Sequence, residues 1–544
     1  MKRLLVYSIL YFAFALQCSV ASNGVASDTL SANMGTMLYK EGLAAFNSGD
    51  YDMAVALWEK AAKAGDANAQ CNLGSCYSKG FGVSKSKKKA FKWFEKSAMQ
   101  GNAVAQCNLG LCYLNGNGVD KDEYKAVGWF IQSSNQGYNP ALTSLGLCYK
   151  NGTGAEVDYR EAVSCFGDAA CNGYAAAQNE LADCFYFGVG FEQNFEEAFY
   201  WYEKAAIQGL AVAQTSLAVC YEKGEGVAAD KKKAVEFYAK AAGQGNADAQ
   251  FYLAQCYHSG IGIEENHVLA AEWYEKAAKQ GHVDAQYHLA CCYYKGDGVK
   301  QNYNKAAICF RNAAEQGNTD AMCLLGDCYY YGEGVICDVE RAMELYGKAA
   351  ELGHAESKFT LAECYNYGNG VEQSFDIAFS YYIEAAELEH AGALNAVGWF
   401  YLNGVNVEMD SCKAFDFFYY AAEKDNVDAL LNVGNCYYLG IGVEPDYIAA
   451  ARYFIRAGEK GNVMAQHNLG VMYYKGQGVE QNYAEAVKWY KKSAENGFAM
   501  AQYDLGVCYY FGYGVETDRE EAEKWWRQSA AQGNEEAIKA LKDL

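Results

Sequence analysis

The sequence predicts an all-α chain, a right-handed α-solenoid of antiparallel helix hairpins, and three observations lead there. A 36-residue period recurs without slippage, each period carries the start and stop marks of two helices, and proline is almost missing, with 2 Pro beside 55 Gly and 46 Tyr in 544 residues. Average usage would supply roughly 5% Pro. So few leave little room for Pro-rich linkers and suit a chain that is helical from end to end. At 51% hydrophobic and 21% charged, the chain has the material for a core. Its net charge of −22 argues against a nucleic-acid partner, which needs clustered Lys and Arg.

The N-terminus reads as an address. Lys2 and Arg3 precede an apolar run from Leu4 to Leu16, and Ser19, Val20 and Ala21 supply the small residues a signal peptidase reads, so residues 1–21 are expected to be a secretory signal peptide. Ala15-Leu16-Gln17 before Cys18 departs from a lipobox, which favours simple cleavage. No later stretch has ~20 continuous apolar residues, so no membrane span is expected in the mature chain. The expected location is secreted or periplasmic, or a secretory-pathway lumen in a eukaryote. A short flexible leader is expected over 22–33, a cap hairpin over 34–65, thirteen repeats over 66–533 and a closing helix over 534–544.

With Asp66 as position 1, each column has a physical meaning. Position 21 is always Asp, Asn or Ser (Asp122, Asp158, Asn194), residues that cap a helix by accepting from its free N–H groups. Position 15 is always Gly, position 17 is Gly except Asn406, and position 36 is Gly except Glu389 and Asp425; these are helix stops. Position 25 is Ala and position 29 aromatic in every repeat, one turn apart on the second helix. Position 8 is Leu or Val, position 9 Gly or Ala, and position 12 Tyr or Phe on the first. A small residue beside an aromatic lets two helices approach while a ring fills the gap. Each period is therefore a hairpin that must stack to bury its faces.

The run Ala249-Gln250, Leu253-Ala254, Tyr257, Gly260-Ile261-Gly262-Ile263, Ala270, Trp273-Tyr274, Lys276-Ala277-Ala278 and Gly281 resembles the Sel-one-like repeat, a 36-residue relative of the tetratricopeptide repeat. The resemblance covers 66–533. Tyr39 to Gly65 lacks the Gly-x-Gly loop and, through Gly42, Gly49-Asp50-Tyr51, Ala54 and Ala62, resembles a plain tetratricopeptide unit. The resemblance implies an adaptor in protein complexes, in secretory quality control or at a bacterial envelope. It also implies, from cysteine-rich relatives, a β-lactamase-type or penicillin-binding hydrolase with one disulfide per hairpin.

Eleven of the 21 cysteines occupy position 11, from Cys76 and Cys112 to Cys436 and Cys508, and Phe400 and Met472 fill it elsewhere. That exchange reads as a small buried apolar site. Equivalent helices pack about 8–10 Å apart, too far for a disulfide ladder, which needs Cα atoms within roughly 7 Å. Cys148 with Cys165 and Cys292 with Cys309, at positions 11 and 28, are the two candidate disulfides. The seven histidines, His258, His267, His282, His288, His354, His390 and His467, do not converge with cysteines at zinc spacing, so no metal is expected. No cofactor is expected either: Gly-x-Gly lacks the third Gly and preceding strand of a dinucleotide fingerprint. Ser84 to Lys87 and Ser86 to Lys89 satisfy Ser-x-x-Lys without the Ser-Asp-Asn or Lys-Thr-Gly that accompany it in penicillin-recognising enzymes. Asn151-Gly152-Thr153 is one glycosylation sequon, expected in an exposed loop.

The expectation is a non-enzyme, a monomer that binds protein or peptide partners on the concave wall of first helices. A helical wheel sends positions 3, 6, 10, 13 and 14 outward. The candidate binding residues there are Tyr186, Tyr294, Tyr330, Tyr438, Tyr474 and Tyr510 at position 13, Tyr331 at 14, Phe251, Tyr287, Phe359 and Tyr503 at 6, and Trp399 at 10. Phe187, Tyr367 and Phe511 extend position 14. The competing readings are packing against neighbouring hairpins and a glycan-binding receptor that uses the aromatic wall.

Overall fold

The computed structural model describes residues 29–542, which form twenty-nine helices and no strand. The signal peptide expected over 1–21, with Cys18, lies outside the described residues. Helix has already begun at Thr29, so residues 29–33, expected as leader, are the start of the helix Thr29–Asn47. Nothing in Thr29–Met34 breaks a helix, and Gly35 sits beside Ala64 at the end of its own hairpin and Asp66 at the start of the next. No described helix is long and apolar enough to cross a membrane.

The helices fall into two compact units, residues 1–282 and 283–544. The described part of the first holds seven hairpins, from Thr29–Asn47 with Tyr51–Lys63 to Ala247–Ser259 with His267–Lys279. The second holds seven more, from Val283–Lys295 with Tyr303–Glu315 to Ala499–Phe511 with Arg519–Ala531, and then the short helix Glu535–Lys542. That last helix covers Ala522 and Trp526 with its buried Ala537.

The same marks start and stop the helices in both units. Asp66 accepts from Ala69 N at 2.7 Å and Asp122 from Lys125 N at 2.9 Å, each closing a helix start. Gly80 ends a first helix with φ 85° and Gly440 does so with φ 74°. Among the described residues, the non-glycine residues with positive φ are Asn406, Glu389 and Asp425, the residues that break the glycine columns. The backbone shape of the repeat is thus kept where its glycine is not.

Two contacts explain the tightest columns. Position 9 lies under the ring at position 29: a Cβ on Gly74 would stand 2.7 Å from the Phe94 ring, and one on Gly434 2.5 Å from Phe454. Position 17 meets the preceding hairpin, and a Cβ on Gly118 or Gly478 would overlap the carbonyl of Lys87 or Tyr447. The first hairpin keeps the former contact, Gly42 under Trp58, across a connection of only Ser48 to Asp50. It is a repeat with a shortened loop. Trp58 donates to Tyr39 O at 3.2 Å, and Trp526 in the last hairpin donates to Tyr503 O at 3.1 Å.

Position-5 glutamines tie hairpin to hairpin. Gln70 donates to Ala62 O at 3.0 Å and accepts from Gln100 at 2.7 Å; Gln502 donates to Ala494 O at 3.1 Å and accepts from Gln532 at 2.9 Å. Gln466 makes the first of these bonds, to Gly458 O at 2.9 Å, but its buried Oε1 has no partner. The reason is Asn496, which is one methylene too short and bonds Lys492 O instead. Asn496→Gln should therefore raise stability by about 1 kcal/mol. An unchanged urea midpoint would contradict this. Where Lys358, Leu394 and Leu430 replace the glutamine, ion pairs Glu389–Lys424 at 2.7 Å and Asp425–Arg456 at 3.1 Å run between hairpins.

The cysteine column is buried as its exchange with Phe and Met requires: Cys76, Cys184, Cys220 and Cys508 are all buried, as are Phe400 and Met472. No disulfide joins Cys148 to Cys165 or Cys292 to Cys309. Burial pushes the thiols of Cys148 and Cys292 up to about 12, so the thiolate that disulfide formation needs is suppressed.

Candidate functional site

The wall made by first helices is where side chains are free to vary, and the structure sorts its candidates by depth. Position 13 is a seam. Tyr186, Tyr294 and Tyr438 are half-buried, and their hydroxyls reach the loop of the following hairpin, donating to Glu225 at 2.5 Å, Glu333 at 2.5 Å and Gln477 Oε1 at 2.8 Å. Their rings lean on position 22 of their own hairpin, Phe195 at 5.3 Å, Tyr303 at 5.2 Å and Tyr447 at 5.3 Å. Tyr474 packs likewise on Tyr483 at 5.1 Å, and Tyr510 on Trp526 at 5.3 Å. Burial and the Glu225 bond push the Tyr186 hydroxyl pKa up. Tyr330 is half-buried beside Tyr331, which is 69% exposed. The structure therefore favours the packing reading at position 13 and leaves position 14 exposed, at Phe187, Tyr331, Tyr367 and Phe511.

Position 6 is also covered. Phe251 is only 7% exposed, because His282 of the next hairpin start stacks on it at 4.6 Å. Phe359 is half-buried under His390 at 4.5 Å, and Tyr287 and Tyr503 are half-buried. The histidines have a double task that the sequence did not disclose. His390 Nδ1 accepts from Ala393 N at 3.1 Å, capping a helix, while Nε2 meets Glu356 at 3.0 Å. That contact holds the Glu356 carboxyl below its usual range. His354 repeats the arrangement with Asp320 at 3.1 Å.

Position 10 carries a further relation. Asp183 accepts from Tyr202 at 2.6 Å and Asp327 from Tyr346 at 2.7 Å, and Tyr382 donates to Glu363. Where position 29 is Phe, as at Phe94, Phe130 and Phe418, position 10 carries no acid but Ser75, Leu111 and Trp399. The pairing of an acid at 10 with Tyr at 29 was available in the sequence and marks these acids as hydroxyl acceptors in the frame. Burial raises the Asp327 carboxyl.

Among the described residues, the first-helix wall of the second unit carries a run of polar side chains beside an exposed ring. Trp399 is 47% exposed. Around its register Asn432 donates to Asn395 at 2.9 Å, Asn468 to Asn435 at 3.2 Å, and His467 Nε2 meets Asp504 at 2.8 Å. These side chains join successive first helices by hydrogen bonds, and the asparagine amides keep further donors and acceptors for a ligand. In the first unit Lys150 bonds the buried Glu180 at 3.1 Å, and although burial alone would lower it, Glu180 and Asp183 leave the Lys150 pKa raised. Ser86 caps a helix by accepting from Lys89 N at 3.4 Å, so its hydroxyl is held by the frame. Asn151 of the sequon is the last residue of a helix, not a loop residue, because its amide bonds back to Leu147 O at 2.9 Å.

Helix hairpins in series, with a varied wall between invariant columns, define a repeat scaffold for protein–protein interaction. The Sel1 repeat pattern matches fourteen consecutive segments, from residues 31–66 to 499–534, and so takes in the hairpin first read as a plain cap. The chain belongs to the Sel1 repeat family. Among solved structures it is similar to c5321, a protective antigen present in uropathogenic Escherichia coli strains, with 34% identity over 82% of this chain and 94% of that one and a TM-score of 0.61. A Sel1 repeat protein from Oxalobacter formigenes matches at 29% identity over 64% of this chain and 99% of that one, with a TM-score of 0.44. A comparison with curated proteins found no match.

Proposed function

We propose that the chain is an exported, non-catalytic scaffold that holds a protein partner against the first-helix wall of its second unit. The observation that carries the reading is Trp399, a large ring left half exposed on the helix that bears the amide pair of Asn395, in a wall whose aromatics at positions 6 and 13 are taken up by packing. Trp is among the residues that interface hot spots favour as anchors. Export follows from Lys2, Arg3, the run Leu4–Leu16 and Ser19 to Ala21, and the relative described as a protective antigen is in keeping with it. The same ring and amides also suit stacking on a sugar, which keeps a glycan ligand as the second reading.

Capture of cross-linked partners from the exported fraction with wild type and Trp399→Ala tests the proposal. A protein held by wild type should be weakened by about 2 kcal/mol, a loss of roughly thirtyfold. Equal capture would move the site elsewhere. Turnover of nitrocefin would sink the non-catalytic part, and binding to a glycan array without any protein captured would favour the second reading.

A further inference from the structure

The loops that join the two helices of each hairpin form a second surface in the second unit. Between two successive loops lies an open cleft of about 810 Å³, walled by Val443, Pro445, Tyr447, Ile448 and Val479. Tyr447 and Ile448 are 42% and 58% exposed, so these apolar side chains of the wall are uncovered, and Asp446 lines the cleft beside them. Glu444 and Glu480 stand at its two sides.

The two loops that bound the cleft belong to a series. Five successive loops read Gly368-Asn-Gly-Val-Glu-Gln373, Gly404-Val-Asn-Val-Glu-Met409, Gly440-Ile-Gly-Val-Glu-Pro445, Gly476-Gln-Gly-Val-Glu-Gln481 and Gly512-Tyr-Gly-Val-Glu-Thr517. Each places a half-buried Val beside an exposed Glu, and none contains Lys or Arg. Among the described residues Glu372, Glu408, Glu444, Glu480 and Glu516 have no ion-pair partner. Of the eight other such loops, Gly80 to Lys85, Gly116 to Lys121 and Gly296 to Gln301 carry a Lys, whereas Gly188 to Gln193 and Gly260 to Glu265 also carry Glu without Lys, so what distinguishes residues 368–517 is the Val-Glu loop repeated five times in succession.

We propose that this loop edge, residues 368–517, docks an extended basic segment of a partner protein. Charge complementarity selects the occupant: a row of half-buried valines edged by carboxylates without ion-pair partners takes a chain that alternates apolar side chains with Lys or Arg. The spacing is set by the repeat. Neighbouring helices pack about 8–10 Å apart, and an extended chain advances roughly 3.3 Å per residue, so a basic residue at every third position meets one carboxylate per repeat. A polyproline-like segment, at about 3.1 Å per residue and three residues per turn, keeps that register on one side. This edge is distinct from the wall around Trp399, and the two readings fail independently.

The test is fluorescence anisotropy with a labelled peptide of five Lys-Val-Pro triplets and a control of equal composition whose lysines form one block. The triplet peptide should bind more tightly than the block peptide and lose affinity as salt rises. The double variant Glu444→Gln/Glu480→Gln, whose residues are exposed and outside the core, should bind it roughly fivefold more weakly than wild type. Glu196→Gln/Glu236→Gln in the first unit removes the same charge from exposed positions and should leave binding unchanged. Equal binding of the two peptides, an equal loss in both double variants, or no binding of the triplet peptide would overturn the proposal.

Discussion

Phe454→Ala should destabilise the protein by about 4 kcal/mol, the largest effect of any single truncation considered. Phe454 is 1% exposed, and its ring rests on Gly434 so closely that an added Cβ would stand 2.5 Å from it. Alanine would leave a cavity whose floor is a glycine, which has no side chain to collapse into it. The converse exchange, Gly434→Ala, forces the ring off its seat and should cost about 2 kcal/mol. Chemical denaturation followed by circular dichroism measures both. A loss below roughly 1 kcal/mol for Phe454→Ala would mean that the ring is not the piece that closes the hairpin.

Gly442→Ala should cost about 3 kcal/mol, because two penalties coincide at that residue. Its φ is 69°, and a Cβ would overlap the carbonyl oxygen of Ser411 in the preceding hairpin. Gly461→Ala separates the two penalties. With φ 94° and nothing within 4 Å of the added carbon, it carries the backbone term alone and should cost about 1 kcal/mol. Equal losses would show that the loop does not press on its neighbour. At Asn406 the chain itself fills the equivalent position, using a residue that tolerates positive φ and a 2.8 Å bond from its amide to Asp376 of the preceding hairpin.

Most of the frame was legible because each frame contact repeats. Glycine recurring at positions 15, 17 and 36 announces left-handed turns, and the three breaks, Asn406 at position 17 and Glu389 and Asp425 at position 36, then have to be residues with positive φ, as they are. The candidate surface was less legible. Positions 13 and 14 are adjacent on the last turn of the first helix, and a wheel drawn for one helix sends both outward. It cannot include the next hairpin, whose residues Glu225, Glu333 and Gln477 take up the tyrosines at 13 and leave 14 exposed. Phe251 was misplaced for the same reason, since His282, which covers it, begins the following hairpin. The acid at position 10 paired with Tyr at 29 could have been read from the columns, because it requires only that two varying positions be compared. The cysteine pairs at positions 11 and 28 show the opposite limit: Cys148 and Cys165 do share one core cluster, yet burial that brings thiols together also keeps them protonated.

The central claim is that the repeated columns, cysteines included, are packing, so that function must lie on what varies between them. Thiol counting tests it most directly. In the native protein the exposed Cys171, Cys337 and Cys412 should react promptly with a thiol reagent, and the fifteen buried cysteines only after denaturation. All twenty described cysteines should then titrate without any reductant. A denatured, unreduced chain in which most of them fail to react would contradict the account.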